Sequence, residues 1–141
     1  MAEGLLRHYL QQTELRDRVE VCSAGTQASQ PGCRPDQRAQ KVAAYRGINL
    51  GRIKARRVTA RDLVRSDFIF AMDESNMRDL WQLSLPEHYD KLSFLLSHQV
   101  GQPLLEVPDP YFGSAEGFEG VCQILDAAMG DLVSYIRARI Q

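Results

Sequence analysis

An α/β fold built on a parallel sheet follows from three features of this 141-residue chain. Its hydrophobic pattern switches repeatedly between a helical period and an extended one. One extended stretch, Asp67 to Met72, is a continuous apolar run of the kind carried by strands covered on both faces. That run passes through a polar turn at Asp73 straight into a helical pattern, and a strand-to-helix step of this sort is where open α/β sheets place their ligands.

The elements follow in order. Met1 to about Gln12 is a helix with Leu5, Leu6, Tyr9 and Leu10 on one face. Arg18 to Ala24 alternates as a strand and stops at Gly25. Turn formers fill the loop from Gly25 to Arg34. Pro35 and Asp36 then open a helix through Arg46, with Gly47 just past its end and Val42, Ala43 and Tyr45 assigned to its core side. Thr59-Ala60-Arg61-Asp62 starts a short helix to Arg65 with a capping-box pattern, in which aspartate stands where glutamate is usual. After the Asp67–Met72 strand, Asp73 is a good N-cap for a helix to about Leu83. Lys91 to Leu96 is a further strand. Ser114 to Ile140 is a long amphipathic helix, with Phe118, Val121, Cys122, Leu125, Met129, Leu132, Val133 and Ile136 along one stripe. The total is three strands and about five helices, in one domain over residues 1–141.

A chain of this length holds one core comfortably and two poorly. A net charge of −1, a hydrophobic fraction of 44% and a charged fraction of 25% give no global attraction to nucleic acid or to an anionic membrane. No apolar run reaches the roughly 18 to 20 residues of a membrane span, and a cytoplasmic protein is expected. The three cysteines, Cys22, Cys33 and Cys122, lack the short paired spacing of a zinc or redox site and suit a reducing compartment. Cys22 and Cys122 are expected to be small buried hydrophobes.

Several residues invite a chemical reading. Asp109 stands between Pro108 and Pro110, so a carboxylate is displayed on a stiff extended loop, although an isolated Pro-Asp-Pro is by itself only a turn signal. His8, His88 and His98 are scattered without the i, i+4 pairing or partner carboxylates of a metal site, and no cofactor is expected. Arg52, Lys54, Arg56, Arg57, Arg61 and Arg65 form a basic stretch that could meet an acidic or phosphorylated partner and reads by default as a solvated face balanced by Asp62 and Asp67. Trp81 is expected to be a core or partly buried packing residue and not a ligand platform.

Taken together, Ser23-Ala24-Gly25-Thr26, Ala55-Arg56 with Thr59, Ala71-Met72-Asp73-Glu74-Ser75-Asn76-Met77-Arg78-Asp79-Leu80 and Val107-Pro108-Asp109-Pro110-Tyr111-Phe112-Gly113 resemble the low-molecular-weight protein tyrosine phosphatases in order and spacing. The resemblance spans essentially the whole chain. It implies a three-layer α/β fold on a four-stranded parallel sheet in the order 2-1-3-4, with a cysteine thiolate as nucleophile and an arginine and backbone amides holding phosphate. By motif, Asp109 matches the general acid, Tyr111 an aromatic lining the substrate cleft, and Ser23 a hydroxyl that supports the phosphate loop. The implied substrate is a phosphotyrosine-bearing protein or a small aryl phosphate.

Two departures stand out. The family's nucleophile loop is Cys-x5-Arg, yet the sixth residue after Cys22, Cys33 and Cys122 is Ala28, Ala39 and Ala128. Arg38 falls one position short of Cys33, and Pro35 removes an amide from that interval. The chain opens on Met1-Ala2-Glu3, which resembles the helix that follows the family's phosphate loop. The expectation is therefore an N-terminally truncated member without its first, central strand, inactive as it stands and prone to self-association through the exposed sheet edge. The second departure is that Gln27-Ala28-Ser29-Gln30 carries no aromatic where many family members place the second wall of the cleft.

Two rivals remain. Arsenate reductase shares the fold, but its relay needs cysteines that residues Leu83 to Pro108 lack. The other is a catalytically silent interaction module on the same scaffold.

Overall fold

Capping and periodicity set the helices. In the computed structural model, which describes residues 1–27, 31–101, 105–109 and 115–140, helix α1 spans Ala2–Gln11 and buries Leu5, Leu6 and Leu10. Gly4 sits inside it where a Cβ would come 2.5 Å from Leu50 Cδ2 and 3.0 Å from Ile48 Cγ2, so a side chain here would make the buried Leu50 and Ile48 side chains shift. Helix α2, Gln37–Tyr45, starts at Asp36, whose carboxylate accepts from the Arg38 N–H, and the chain turns away through Gly47 at φ 75°. Helix α3, Ala60–Arg65, carries a complete capping box in which Thr59 Oγ1 accepts from Asp62 N–H and the Asp62 carboxylate accepts from Thr59 N–H. The shorter aspartate reaches as well as glutamate would.

Helix α4, Glu74–Leu83, and helix α5, Ala115–Ile140, complete the set of five among the described residues. Every apolar residue read into the α5 stripe, from Phe118 to Ile136, is buried.

The sheet is smaller than expected. Strand β1 is Ile69–Ala71 and strand β2 is Leu92–Phe94, paired in parallel with Ile69 opposite Leu92 and Ala71 opposite Phe94. A crossover through α4 and a 3-10 turn at Pro86–Lys91 joins them. Alternation along β1 sorts its residues between two apolar clusters. Phe68, Phe70 and Met72 pack on the main core with α1, α2 and α5, while Ile69 and Ala71 join Leu63 of α3 and Leu80 of α4. The strand is thus apolar throughout because both faces meet helices, although only Ala71 is fully buried and Ile69 and Phe70 are half-buried.

Residues 18–24 do not form the expected strand. Val19 and Val21 still turn toward the core and Glu20 and Cys22 away from it, as a period of two requires. A ladder also requires a neighbour, and the donors and acceptors here go elsewhere: Arg18 and Val19 N–H to Leu15 O, and Val21 O to the Arg7 guanidinium. Regular pairing shrinks to a single parallel bridge between Gly25 and Arg57. Among the described residues the sheet therefore has two strands, not three. The Lys91–Leu96 strand is also shorter, because Leu95–His98 turns into a 3-10 helix that buries Leu95 and Leu96.

Three side-chain assignments change as well. Tyr45 is 94% exposed, since two positions along a helix from Ala43 place it about 200° away on the opposite face. Cys22 is exposed, and only Cys122 is buried. Trp81 is 44% exposed and packs against Tyr89 at 3.9 Å between ring centroids.

His98 lies over Tyr135 at 3.7 Å and edge-on to Phe70, with its Nε2 2.8 Å from Ser93 Oγ. Burial, and secondarily the nearby Arg139 guanidinium, push its pKa below the usual histidine value. The unfolded chain then binds a proton more readily than the folded one, so His98 costs stability as pH falls from about 6.5 toward its lower folded pKa, and contributes no pH dependence above that window. Thermal unfolding between pH 5 and 7.5 should show a fall in Tm on the acid side that is shallower in His98→Gln.

Candidate active site

The end of β1 collects two loops. Where the strand runs into Met72 and Asp73, the Asp73 carboxylate accepts from Asn76 N–H at 2.8 Å and starts α4. The first turns of α4 then hold the Ser23–Gln27 segment: Asn76 Nδ2 donates to Thr26 Oγ1 at 3.3 Å and Gln27 Nε2 donates to Asp79 Oδ2 at 3.1 Å. On the other side, Val107 N–H donates to Met72 O at 2.8 Å, and Glu74 N–H donates to Glu106 Oε1 at the same distance. Val107 is buried, and the chain emerges at once through exposed Pro108 and Asp109.

Asp109 is thus presented two residues beyond a fixed anchor, at the carboxyl end of the sheet. Ser23 hangs from the same end through α4, and its hydroxyl donates to Glu3 Oε1 at 2.6 Å. Glu3 is 9% exposed and is also held by Arg7 at 2.8 Å. Tyr111 lies outside the described residues. Beside this loop, Arg56 reaches Asp62 at 2.9 Å and the Cys22 sulfur at 3.6 Å. The hydrogen bond from Arg56 holds the Asp62 carboxyl below its ordinary pKa against the opposing effect of burial, with the Thr59 bonds adding to it.

The contacts of Glu3, Asn76 and Glu106 escaped the sequence reading, although Glu3 and Asn76 stand in the quoted motifs. Glu3 has the signal of a first-turn acid and nothing more, and the partners of Asn76 and Glu106 come from segments 50 and 32 residues away. Among the described residues no group of three or more His, Cys, Asp or Glu is placed to hold a metal ion.

The family model for low molecular weight phosphotyrosine protein phosphatase matches residues 1–141. The chain belongs to that family. This low molecular weight phosphatase chain is 35% identical over 124 residues to the mouse low molecular weight phosphotyrosine protein phosphatase, covering 87% of itself and 78% of that protein. It is 29% identical over 141 residues to the low molecular weight protein-tyrosine-phosphatase YfkJ of Bacillus subtilis, covering 100% of itself and 89% of the relative. In three dimensions it matches a protein tyrosine phosphatase of Entamoeba histolytica with a TM-score of 0.91 at 31% identity, over 97% of this chain and 87% of that one. An α/β fold of the low molecular weight phosphatase type is therefore established for the chain.

Proposed function

We propose that the chain carries the acid side of a phosphotyrosine phosphatase site and lacks its nucleophile. Joined to a nucleophile loop, Asp109 would protonate the leaving phenolate oxygen and then take the proton of the attacking water, Tyr111 would supply the aromatic on which the substrate ring stacks, and Ser23 would support that loop. The observation that carries the acid role is the Val107 N–H to Met72 O bond, which fixes the Asp109 loop at the carboxyl end of β1. A general acid needs a held position, and this one is held from a core strand. The substrate is a phosphotyrosine-bearing protein or a small aryl phosphate, acted on in the cytoplasm by one domain over residues 1–141.

The thiolate that would attack phosphorus is a different matter. A cysteine nucleophile works as thiolate within a cradle of amides and a guanidinium, and these 141 residues contain no Cys-x5-Arg. The chain by itself turns over no aryl phosphate. A continuous assay with para-nitrophenyl phosphate checks this, and turnover that disappears in Cys33→Ser would refute it. The same chain preceded by a strand and a Cys-x5-Arg-Ser-Pro loop should gain activity.

The extended backbone at 20–24 also predicts self-association. It lacks ladder partners among the described residues, and a hollow of about 460 Å³ lined in part by Arg7, Leu10, Val19 and Val21 lies beside it. Sedimentation velocity at rising concentration should show species larger than a monomer, and a monodisperse monomer throughout would contradict it.

A further inference from the structure

We infer that a cationic rim beside the Ser23–Gln27 loop, made of Arg34, Lys54, Arg57 and Arg61, binds acidic residues that flank the phosphotyrosine of a protein substrate. This rests on the phosphatase reading above and adds the class of sequence the site selects.

Backbone pairing builds the rim. Residues 55–58 lie between two other segments: Gly25 N–H donates to Arg56 O and Val58 N–H to Gly25 O on one side, while Ala55 N–H donates to Cys33 O and Gly32 N–H to Ala55 O on the other. Arg34, Lys54 and Arg57 are thereby brought onto adjoining strands of chain, and Arg61 follows in the first turn of α3. All four side chains are exposed. Arg57 stands opposite Gly25, at the base of the loop that Asn76 and Gln27 tie to the carboxyl end of β1.

Of the carboxylates near this stretch, Asp67 is exposed and pairs with none of the four cations, and three others are already engaged. Asp62 is held by Arg56 and by the Thr59 cap, Asp36 by Arg38 and the start of α2, and Asp79 accepts from Gln27. Among the described residues no ion pair reaches Arg34, Lys54, Arg57 or Arg61. Four solvated cations on a chain of net charge −1 are a local field and not a global one, and such a field suits a few carboxylates next to a bound residue. No aromatic side chain stands between these cations in the 52–61 stretch to stack a base, which favours an acidic peptide over a nucleic acid.

The test uses the 141-residue chain and three labelled peptides, read by fluorescence anisotropy. In the first, three glutamates precede phosphotyrosine; in the second, glutamines replace them; in the third, the glutamates remain and the tyrosine carries no phosphate. At low salt the first should bind about tenfold more tightly than the second, and the gap should narrow as ionic strength rises to about 0.15 M. Lys54→Glu with Arg57→Glu should abolish the gap, and Lys54→Gln with Arg57→Gln, which adds no new charge to the fold, should narrow it. Equal affinity of the first two peptides, an undiminished gap in both double variants, or stronger binding of a single-stranded oligonucleotide would overturn the proposal. The third peptide reports the rim without the phosphate, whereas para-nitrophenyl phosphate, which has no flanking residues, given to the chain preceded by a strand and a Cys-x5-Arg-Ser-Pro loop, tests the phosphatase reading alone.

Discussion

Replacing Asp109 with asparagine, in the chain preceded by a strand and a Cys-x5-Arg-Ser-Pro loop, should slow hydrolysis of phenyl phosphate by roughly 10²- to 10⁴-fold, the span that a positioned general acid contributes. Asparagine keeps the shape and loses the proton. A phenolate is a basic leaving group that departs with difficulty unless it is protonated as the P–O bond breaks, whereas para-nitrophenolate departs readily unaided. The loss with para-nitrophenyl phosphate should therefore be much smaller in the first step. Rates of both substrates, measured on wild type and variant under single-turnover conditions, decide the matter. Equal losses on the two substrates would show that Asp109 positions the loop and does not deliver a proton. The anchor makes the comparison clean, because the backbone bond from Val107 to Met72 does not involve the Asp109 side chain.

Leu132→Ala should cost about 2 to 5 kcal/mol, a large part of the roughly 5 to 15 kcal/mol that holds a domain of this size together. Leu132 is 0% exposed in the middle of α5, within the cluster where that helix meets α1 and α2. Removing its isobutyl end loses the transfer free energy of the missing carbons and leaves a cavity that Met129, Val133 and Ile136 on the same helix cannot close without leaving their own contacts. Val64, 58% exposed on α3, serves as the control, and its change to alanine should stay within about 0.5 kcal/mol. Urea unfolding of both variants gives the two numbers. A loss below about 1 kcal/mol at Leu132 would mean that α5 is not the keystone of the main core.

Much of the helical framework is legible in the residues themselves because its causes are local. Asp36, Thr59 and Asp73 each cap the helix that follows, and each uses a side-chain oxygen against an amide two or three residues away. The α5 stripe is legible for the same reason, as three and four residue spacings keep it on one face. Tyr45 shows the limit of reading a face loosely: two positions from Ala43 is the far side of a helix whatever the residue type.

The candidate-site loops divide along the same line. Asp109 was visible as a motif, and the proline after it already biased its backbone toward the extended region. What holds it there was invisible, since the acceptor is Met72 O, 35 residues earlier, and a backbone carbonyl carries no signature of its partner. Glu3 as the partner of Ser23 and Glu106 as the partner of Glu74 N–H were hidden for the same reason.

Residues 18–24 mark the boundary most clearly. The sequence by itself determined their sidedness, Val19 and Val21 toward the core and Glu20 and Cys22 toward solvent, because alternation depends only on an extended backbone. It likewise determined the helices, their caps and the family to which the chain belongs, since these rest on side chains near one another in the chain or on motifs in fixed order. Only the tertiary structure decided which extended segments became strands. A strand exists when a second backbone supplies the other half of each hydrogen bond; Ile69–Ala71 found Leu92–Phe94, and residues 18–24 found one bridge at their end.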